Sequence, residues 1–231
     1  MRTGLGGQGP ELHSPGEVHA WLIDLDAPVG ADRLLDPAEL DRATSYLRQR
    51  DGARFAASRA WLRMIVGRYL DADPAGLRFA TDAAGRPALA GDHAGPLHFS
   101  LSRSAKRALV AVSNSPVGAD IEVISARAGL ADLVAGRFGP AEARCIAGGC
   151  GGSPLRGFYR HWTAKEAYLK ATGAGLAGLR ATELICGARP AVRVGGEPAA
   201  GWTISLVKAA PDCNAAIVGG GPVSSYWLAP Q

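Results

Sequence analysis

The order of helix-like and strand-like stretches constrains this chain most. Twice the sequence runs helices first and then closes on a pair of strand-like segments. Glu17–Leu25 alternates between turn residues and reads as a strand. Asp36-Pro37 is a cap and first-turn pair that predicts a helix through Arg50. Phe55, Leu62, Ile65, Val66 and Tyr69 recur near helical spacing, which predicts a second helix over Gly52–Leu70, ended by Asp71 to Pro74. Leu77–Leu89 reads as a hairpin around Ala84-Gly85. Leu97–Leu101 and Ala108–Ser113 read as paired strands around a polar turn holding Lys106. After Asn114-Ser115-Pro116 come a strand over Val117–Ile124 and helix-like stretches over Leu130–Ala147 and Ser153–Thr172. Strand-like segments follow at Thr182–Cys186, Ala191–Val194, Trp202–Val207, Ala215–Val218 and Val223–Leu228. LHFSLSRSAKRALVAVS and WTISLVKAAPDCNAAIVGG share a pattern. The expectation is therefore an α+β fold of two similar halves: a loose tail over 1–16, a first half over 17–115 and a second over 116–231.

Composition narrows the class. The 231 residues suffice for one large domain or two smaller ones. Gly 31 and Pro 15 without a G-X-Y period exclude collagen, and 47% hydrophobic with 20% charged residues excludes a wholly disordered chain. A net charge of +4, with bases interleaved among acids, argues against a nucleic-acid partner. The Gly/Pro-rich start is no signal peptide and no run approaches a membrane span, so a cytoplasmic protein without a membrane partner is expected. None of the four cysteines (Cys145, Cys150, Cys186, Cys213) forms C-x-x-C, and no histidine stands at zinc-finger spacing. Incidental reduced thiols are expected, and no structural zinc site.

The basic residues are 21 arginines and only four lysines: Lys106, Lys165, Lys170 and Lys208. Two of the four stand five residues apart beside Glu166. Lysine, unlike arginine, gives up a proton at moderate cost, which suits a proton-transfer site. In helical spacing Trp162, Glu166 and Lys170 share one stripe, with Lys165 beside it; a surface ion pair is the plain alternative. In Val117-Gly118-Ala119-Asp120-Ile121-Glu122, strand alternation turns Asp120 and Glu122 to one face. Paired carboxylates repel unless a cation joins them, and hard oxygen ligands suit Mg²⁺ or Mn²⁺; a solvated acidic face is the plain alternative. Arg48, Arg50, Arg54, Arg59 and Arg63 make a basic helix that could grip phosphates or simply face solvent. Ser100-Leu101-Ser102-Arg103-Ser104 could hold a phosphate oxygen or form an ordinary turn.

Together these residues resemble a known signature. V-G-A-D-I-E followed by W-T-A-K-E-A-Y-L-K-A-T-G-A-G-L (Trp162–Leu176) is similar to the Sfp-type phosphopantetheinyl transferase family, with support from Gly85-Arg86-Pro87 and Ser100–Ser104. The chain length fits the double-length type and not the short trimeric one. The resemblance implies two similar α+β halves, a pseudo-dimer in one chain, with coenzyme A and Mg²⁺ between them in a monomer. It implies Asp120, Glu122 and Glu166 as metal ligands, and Glu166, Lys170 and Lys165 as catalytic groups. It also implies Arg54, Arg59, Arg86, Ser102, Arg103 and Lys165 as coenzyme A contacts. Arg103 stands where the family usually has histidine. It can hold a phosphate but cannot shuttle a proton near neutrality. The implied reaction moves the 4′-phosphopantetheine arm to a serine of an apo acyl or peptidyl carrier protein and releases 3′,5′-ADP. A non-catalytic coenzyme A or nucleotide-binding regulator is the alternative. A D…E-x-K nuclease would need a lysine where Ile124 stands.

Overall fold

The computed structural model describes residues 2–3, 10–81, 86–95, 97–187 and 189–228. It is a mixed α+β structure. Strand β1 (Arg2–Thr3) and strand β2 (Val18–Asp24) precede helix α1 (Pro37–Thr44) and the long helix α2 (Gln49–Leu70). Strands β3 (Arg78–Thr81), β4 (Pro87–Ala90), β5 (His98–Ser104), β6 (Arg107–Ser113) and β7 (Gly118–Val123) follow. Then come helices α3 (Leu130–Arg137), α4 (Pro140–Ala147) and α5 (Pro154–Thr172). Strands β8 (Thr182–Ile185), β9 (Ala191–Val194), β10 (Glu197–Pro198), β11 (Thr203–Val207), β12 (Cys213–Gly219) and β13 (Val223–Leu228) complete it.

Among the described residues the largest sheet runs β1-β13-β2-β6-β5, and a second runs β11-β12-β7. β2 is apolar on both faces because both are covered. Trp21 and Ile23 pack with Trp61, Leu62, Ile65 and Val66 of α2, while Val18, Ala20 and Leu22 pack with Ala119, Ile121, Ala215 and Ile217. On the far side of the second sheet, Ala164, Ala167 and Tyr168 of α5 lie on Ala216 and Val218 of β12.

The local signals explain most boundaries. Asp36 caps α1, accepting from the Glu39 amide while the Glu39 side chain accepts from the Asp36 amide. α1 ends at Thr44 and not at Arg50: Ser45 closes it and its hydroxyl donates to the Arg42 carbonyl at 2.8 Å. The expected helix over Leu130–Ala147 is two helices. Pro140 has no amide to continue α3 and opens α4. β3 and β4 pair as the expected hairpin; its Ala84-Gly85 turn lies outside the described residues, as do residues 1 and 4–9 of the tail. The 115/116 boundary falls between β6 and β7, but the chain does not part cleanly there, because β13 returns to pair in parallel with β2.

Candidate active site

The edges of the two large sheets meet through side chains. Ser100, Ser102 and Ser104 occupy alternate positions on β5 and so share a face. Their hydroxyls accept the backbone amides of Ala119, Ile121 and Val123 on β7 at 3.0, 3.3 and 3.1 Å. Ser102 then donates to Asp120 Oδ1 and Ser104 to Glu122 Oε2, each at 2.7 Å. The same serines thus stitch the sheets and aim the two carboxylates.

The third partner is α5. A Cβ on Gly118 would lie 1.9 Å from the Ala167 carbonyl and 2.5 Å from the Ala171 amide, so only glycine lets the helix backbone seat on β7. That approach brings Lys170 Nζ to 2.7 Å from Asp120 Oδ1 and 3.1 Å from the Ala119 carbonyl. Glu166 lies one turn earlier on the same stripe. Burial pushes the Asp120, Glu122 and Glu166 carboxyls up. Lys170 opposes this at Asp120, while the Asp120 charge reinforces it at Glu122 and Glu166.

The donor set fits a hard divalent cation. Asp120 Oδ2 is buried with no hydrogen-bond partner, and three mutually repelling carboxyls share one desolvated place. Among the described residues the three carboxylates do not stand out as a preformed ligand cluster, unlike one other group of side chains. A cation would have to draw them in.

A groove leads away from Lys170. A cavity of about 310 Å³ is lined by Lys170, Arg86, Ser100 and Val117. A second, of about 490 Å³, is lined by Arg59, Arg103, Arg42 and Phe79, and both share Pro87 and Leu101. Their combined size suits a ligand larger than a single phosphate. Arg86 lines the first cavity and donates to the Lys170 carbonyl.

Other expected residues lie elsewhere. Lys165 does not join the cluster. It is fully buried, 2.9 Å from Glu142 Oε2 and over the Phe138 ring, with burial pulling its ammonium down. Arg54 is held in a two-point bond by Asp26 at 2.7 and 2.9 Å and lines neither cavity. Arg59 lines the second cavity but is paired with Glu39, and the buried Arg63 binds Glu39, Asp36 and the Leu77 carbonyl. The basic helix is therefore largely a tie between α2 and α1. Ser102 supports Asp120 and does not line either cavity. Arg103 lines the second cavity, stacked over Tyr46 and Phe55 and bonded to the Tyr46 hydroxyl at 2.6 Å. Sequence reasoning gave Ser104 a phosphate oxygen and not Glu122 as its partner, and it missed Glu142. The alternate serines were the available signal for the first, whereas the Glu142–Lys165 pair depends on tertiary packing.

A mixed α+β chain with a β7–α5 carboxylate–lysine constellation beside a basic groove has the chemistry suited to an enzyme acting on phosphorylated compounds. Comparison with known proteins identifies the group. Residues 116–218 match the family model described as the 4′-phosphopantetheinyl transferase superfamily. The 4′-phosphopantetheinyl transferase HetI of Nostoc sp. is 34% identical over 223 residues, covering 91% of this chain and 92% of that protein. The putative 4′-phosphopantetheinyl transferase slr0495 of Synechocystis sp. is 32% identical over 161 residues, 68% of this chain and 65% of that one. The 4′-phosphopantetheinyl transferase Sfp of Bacillus subtilis is 22% identical over 160 residues, 67% and 70% of the two chains. The chain belongs to this superfamily and is a phosphopantetheinyl transferase. None of its described helices is long and apolar enough to cross a membrane.

Proposed function

We propose that this enzyme moves the 4′-phosphopantetheine arm of coenzyme A to a serine of an apo acyl or peptidyl carrier protein, releasing 3′,5′-ADP, as a cytoplasmic monomer. The observation that carries the reading is the buried Asp120, with Oδ2 left unpartnered, tied by Ser102 and by Lys170, which lines a basic groove. Asp120, Glu122 and Glu166 are the residues that would hold Mg²⁺, or Mn²⁺ in its place. When bound, the cation supplies charge neutralisation for the pyrophosphate.

The chain's own groups do the rest. Arg86, Arg103 and Arg59 line the groove and grip the nucleotide end of coenzyme A. Residues 17–115 supply these contacts and residues 116–231 the carboxylates. Glu166, whose carboxyl is pushed up by burial, is the group that takes the proton of the attacking serine hydroxyl. Lys170 faces the same place and meets the charge that develops on the departing phosphate. Lys165, enclosed with Glu142, is left out of this scheme. Leu176 is 64% exposed just beyond α5, in a shallow depression with Arg137 and Arg180. An apolar side chain with two arginines and one carboxylate, Asp132, at the same depression suits an acidic carrier helix.

The test is direct. The protein is incubated with coenzyme A, Mg²⁺ and several apo carrier proteins, and carrier mass is followed by intact mass spectrometry. A phosphopantetheine addition that disappears without Mg²⁺, and in folded Asp120→Asn and Glu166→Gln variants, is the expected result. A regulator that only binds coenzyme A would give no addition on any carrier.

A further inference from the structure

Away from the carboxylates, the structure gathers three of the four cysteines with a buried histidine. Cys145 lies on α4, Cys150 in the loop between α4 and α5, His161 on α5 and Cys186 just after β8. Their four ligand atoms all lie within 4.8 Å of one another. Sequence spacing gave no sign of this, because the four residues come from four separate pieces of the fold.

The surroundings are built for the cluster. The Cys150 loop is Gly-Gly-Cys-Gly-Gly, and Gly149, Gly151 and Gly152 take positive φ values of 74°, 95° and 107° that curl the thiol inward. The Cys150 amide donates to the Cys145 carbonyl at 3.1 Å. On α5, Gly157 clears the way: a Cβ there would meet the Cys150 carbonyl at 2.8 Å and its Sγ at 3.3 Å. His161 has no exposure, and its Nδ1 donates to the Gly157 carbonyl at 2.8 Å. That bond fixes the tautomer and leaves the Nε2 lone pair free, 3.5 Å from Cys186 Sγ. Nδ1, already bonded, stands 3.9 Å from Cys150 Sγ. A tetrahedral zinc ion with ordinary Zn–S and Zn–N bonds has an S···N edge of about 3.6 Å.

We propose that Cys145, Cys150, His161 and Cys186 form a Cys₃His zinc site. Three soft thiolates and one imidazole make a donor set for Zn²⁺ and not for Mg²⁺, so this site is chemically separate from the carboxylate trio. Four protein ligands close the coordination sphere, which makes the role structural. On binding, the thiol protons pass to solvent and four metal–ligand bonds form without any redox change. The ion clamps α4, its following loop and the end of β8 onto α5, upstream of Glu166 and Lys170 on the same helix.

The test uses the full chain, untagged and reduced, loaded with Zn²⁺ and dialysed against a chelator too weak to strip thiolate sites. About one zinc per chain is expected by elemental mass spectrometry. Asp120→Asn and Cys213→Ser should keep it, while Cys150→Ser and Cys186→Ser should each lose it at least tenfold. Because those variants could unfold, the unmutated protein is also loaded with Co²⁺. Intense red-region d–d bands with a thiolate charge-transfer band are expected. A strong chelator should lower its melting temperature and leave that of folded Cys150→Ser unchanged. Zinc content near zero in the unmutated protein, a weak octahedral cobalt spectrum, or equal zinc in the cysteine variants would overturn the proposal.

Discussion

Replacing Gly118 by alanine tests the geometry that joins α5 to β7. The added Cβ would lie 1.9 Å from the Ala167 carbonyl, and the obstructing atoms are helix backbone, which has no rotamer to escape into. Ordinary contact begins near 3.4 Å, so α5 must withdraw by about 1.5 Å. Withdrawal opens the interface of Ala164, Ala167, Ala216 and Val218, all without solvent exposure, at a cost of about 1–3 kcal/mol. It also stretches the 2.7 Å Lys170–Asp120 bond beyond hydrogen-bonding range and carries Glu166 away from β7. A misplacement of this size costs catalysis on the order of 10²-fold. Melting temperature and the rate of carrier modification should therefore fall together. Gly136→Ala is the control. Gly136 lies on helix α3, and an added Cβ there has nothing within 4 Å, so stability should hold or rise by about 0.5–1 kcal/mol. Gly118→Ala with unchanged melting temperature and turnover would refute the close-approach reasoning.

Other perturbations separate the remaining roles. Lys170→Met should cut kcat about 10²–10³-fold, and Lys170→Arg should restore little of it, because a guanidinium neither donates a proton nor fits the Ala119–Asp120 notch; full recovery by arginine would reduce Lys170 to a bare charge. Lys165→Met leaves Glu142 buried and unpaired, so stability should drop by about 3–5 kcal/mol, while turnover measured well below the melting temperature stays within about twofold; loss of turnover at unchanged stability would return Lys165 to the active site. Leu176→Asp should raise KM for the carrier about tenfold and leave KM for coenzyme A unchanged, read from initial rates; an equal effect on both would remove Leu176 from the carrier surface. The trio also predicts a pH trend. Burial raises the Asp120, Glu122 and Glu166 carboxyls above their unfolded values, so between those values the native state holds more protons than the unfolded chain and stability falls as pH rises. Without divalent cation, the protein should melt below an Asp120→Asn/Glu122→Gln/Glu166→Gln variant at about pH 8, and the gap should close on acidification toward about pH 5. A gap independent of pH would contradict the shifts.

Local chemistry made much of the fold legible. The limits of β9 and β13 follow from alternation and flanking turns, and α5 from Ser153-Pro154 at one end and Gly173 at the other. Pro140 splits α3 from α4 locally, while the early end of α1 combines the Ser45 closure with a tertiary demand. Helix signals continue past Thr44, but the chain reverses there so that α1 can set Glu39 against Arg59 and Arg63. The return of β13 to the first sheet is a long-range pairing that periodicity does not encode. At the site, strand alternation placed Asp120 and Glu122 together, and helical spacing placed Glu166 with Lys170. What the arginines do was not legible. A guanidinium reads the same whether it waits for a phosphate or, as with Arg54 and Arg63, is already bound to a carboxylate. Neither was the Cys₃His cluster, whose members lie on separate elements.

The two motif lysines show how one helix serves two ends. Five residues at about 100° each carry Lys170 some 140° around α5 from Lys165, whereas Glu166 and Lys170 are only about 40° apart. Two lysines at that spacing on a packed helix cannot both face one ligand. Lys170 faces β7, where a half-buried ammonium meets Asp120 and lines the groove. Lys165 points the other way and closes a dry pair with Glu142, which also accepts the Leu184 amide at 2.8 Å and the Gly139 amide at 3.0 Å. That pair locks α5 to α4 and β8, the same three elements that the cysteine–histidine cluster joins a turn away. The face of α5 turned from the substrate is thus fixed twice. Under the proposed mechanism such fixing has a physical purpose, because Glu166 and Lys170 would act on charge that develops within hydrogen-bond distance. A helix free to slide by an ångström would forfeit most of that stabilisation.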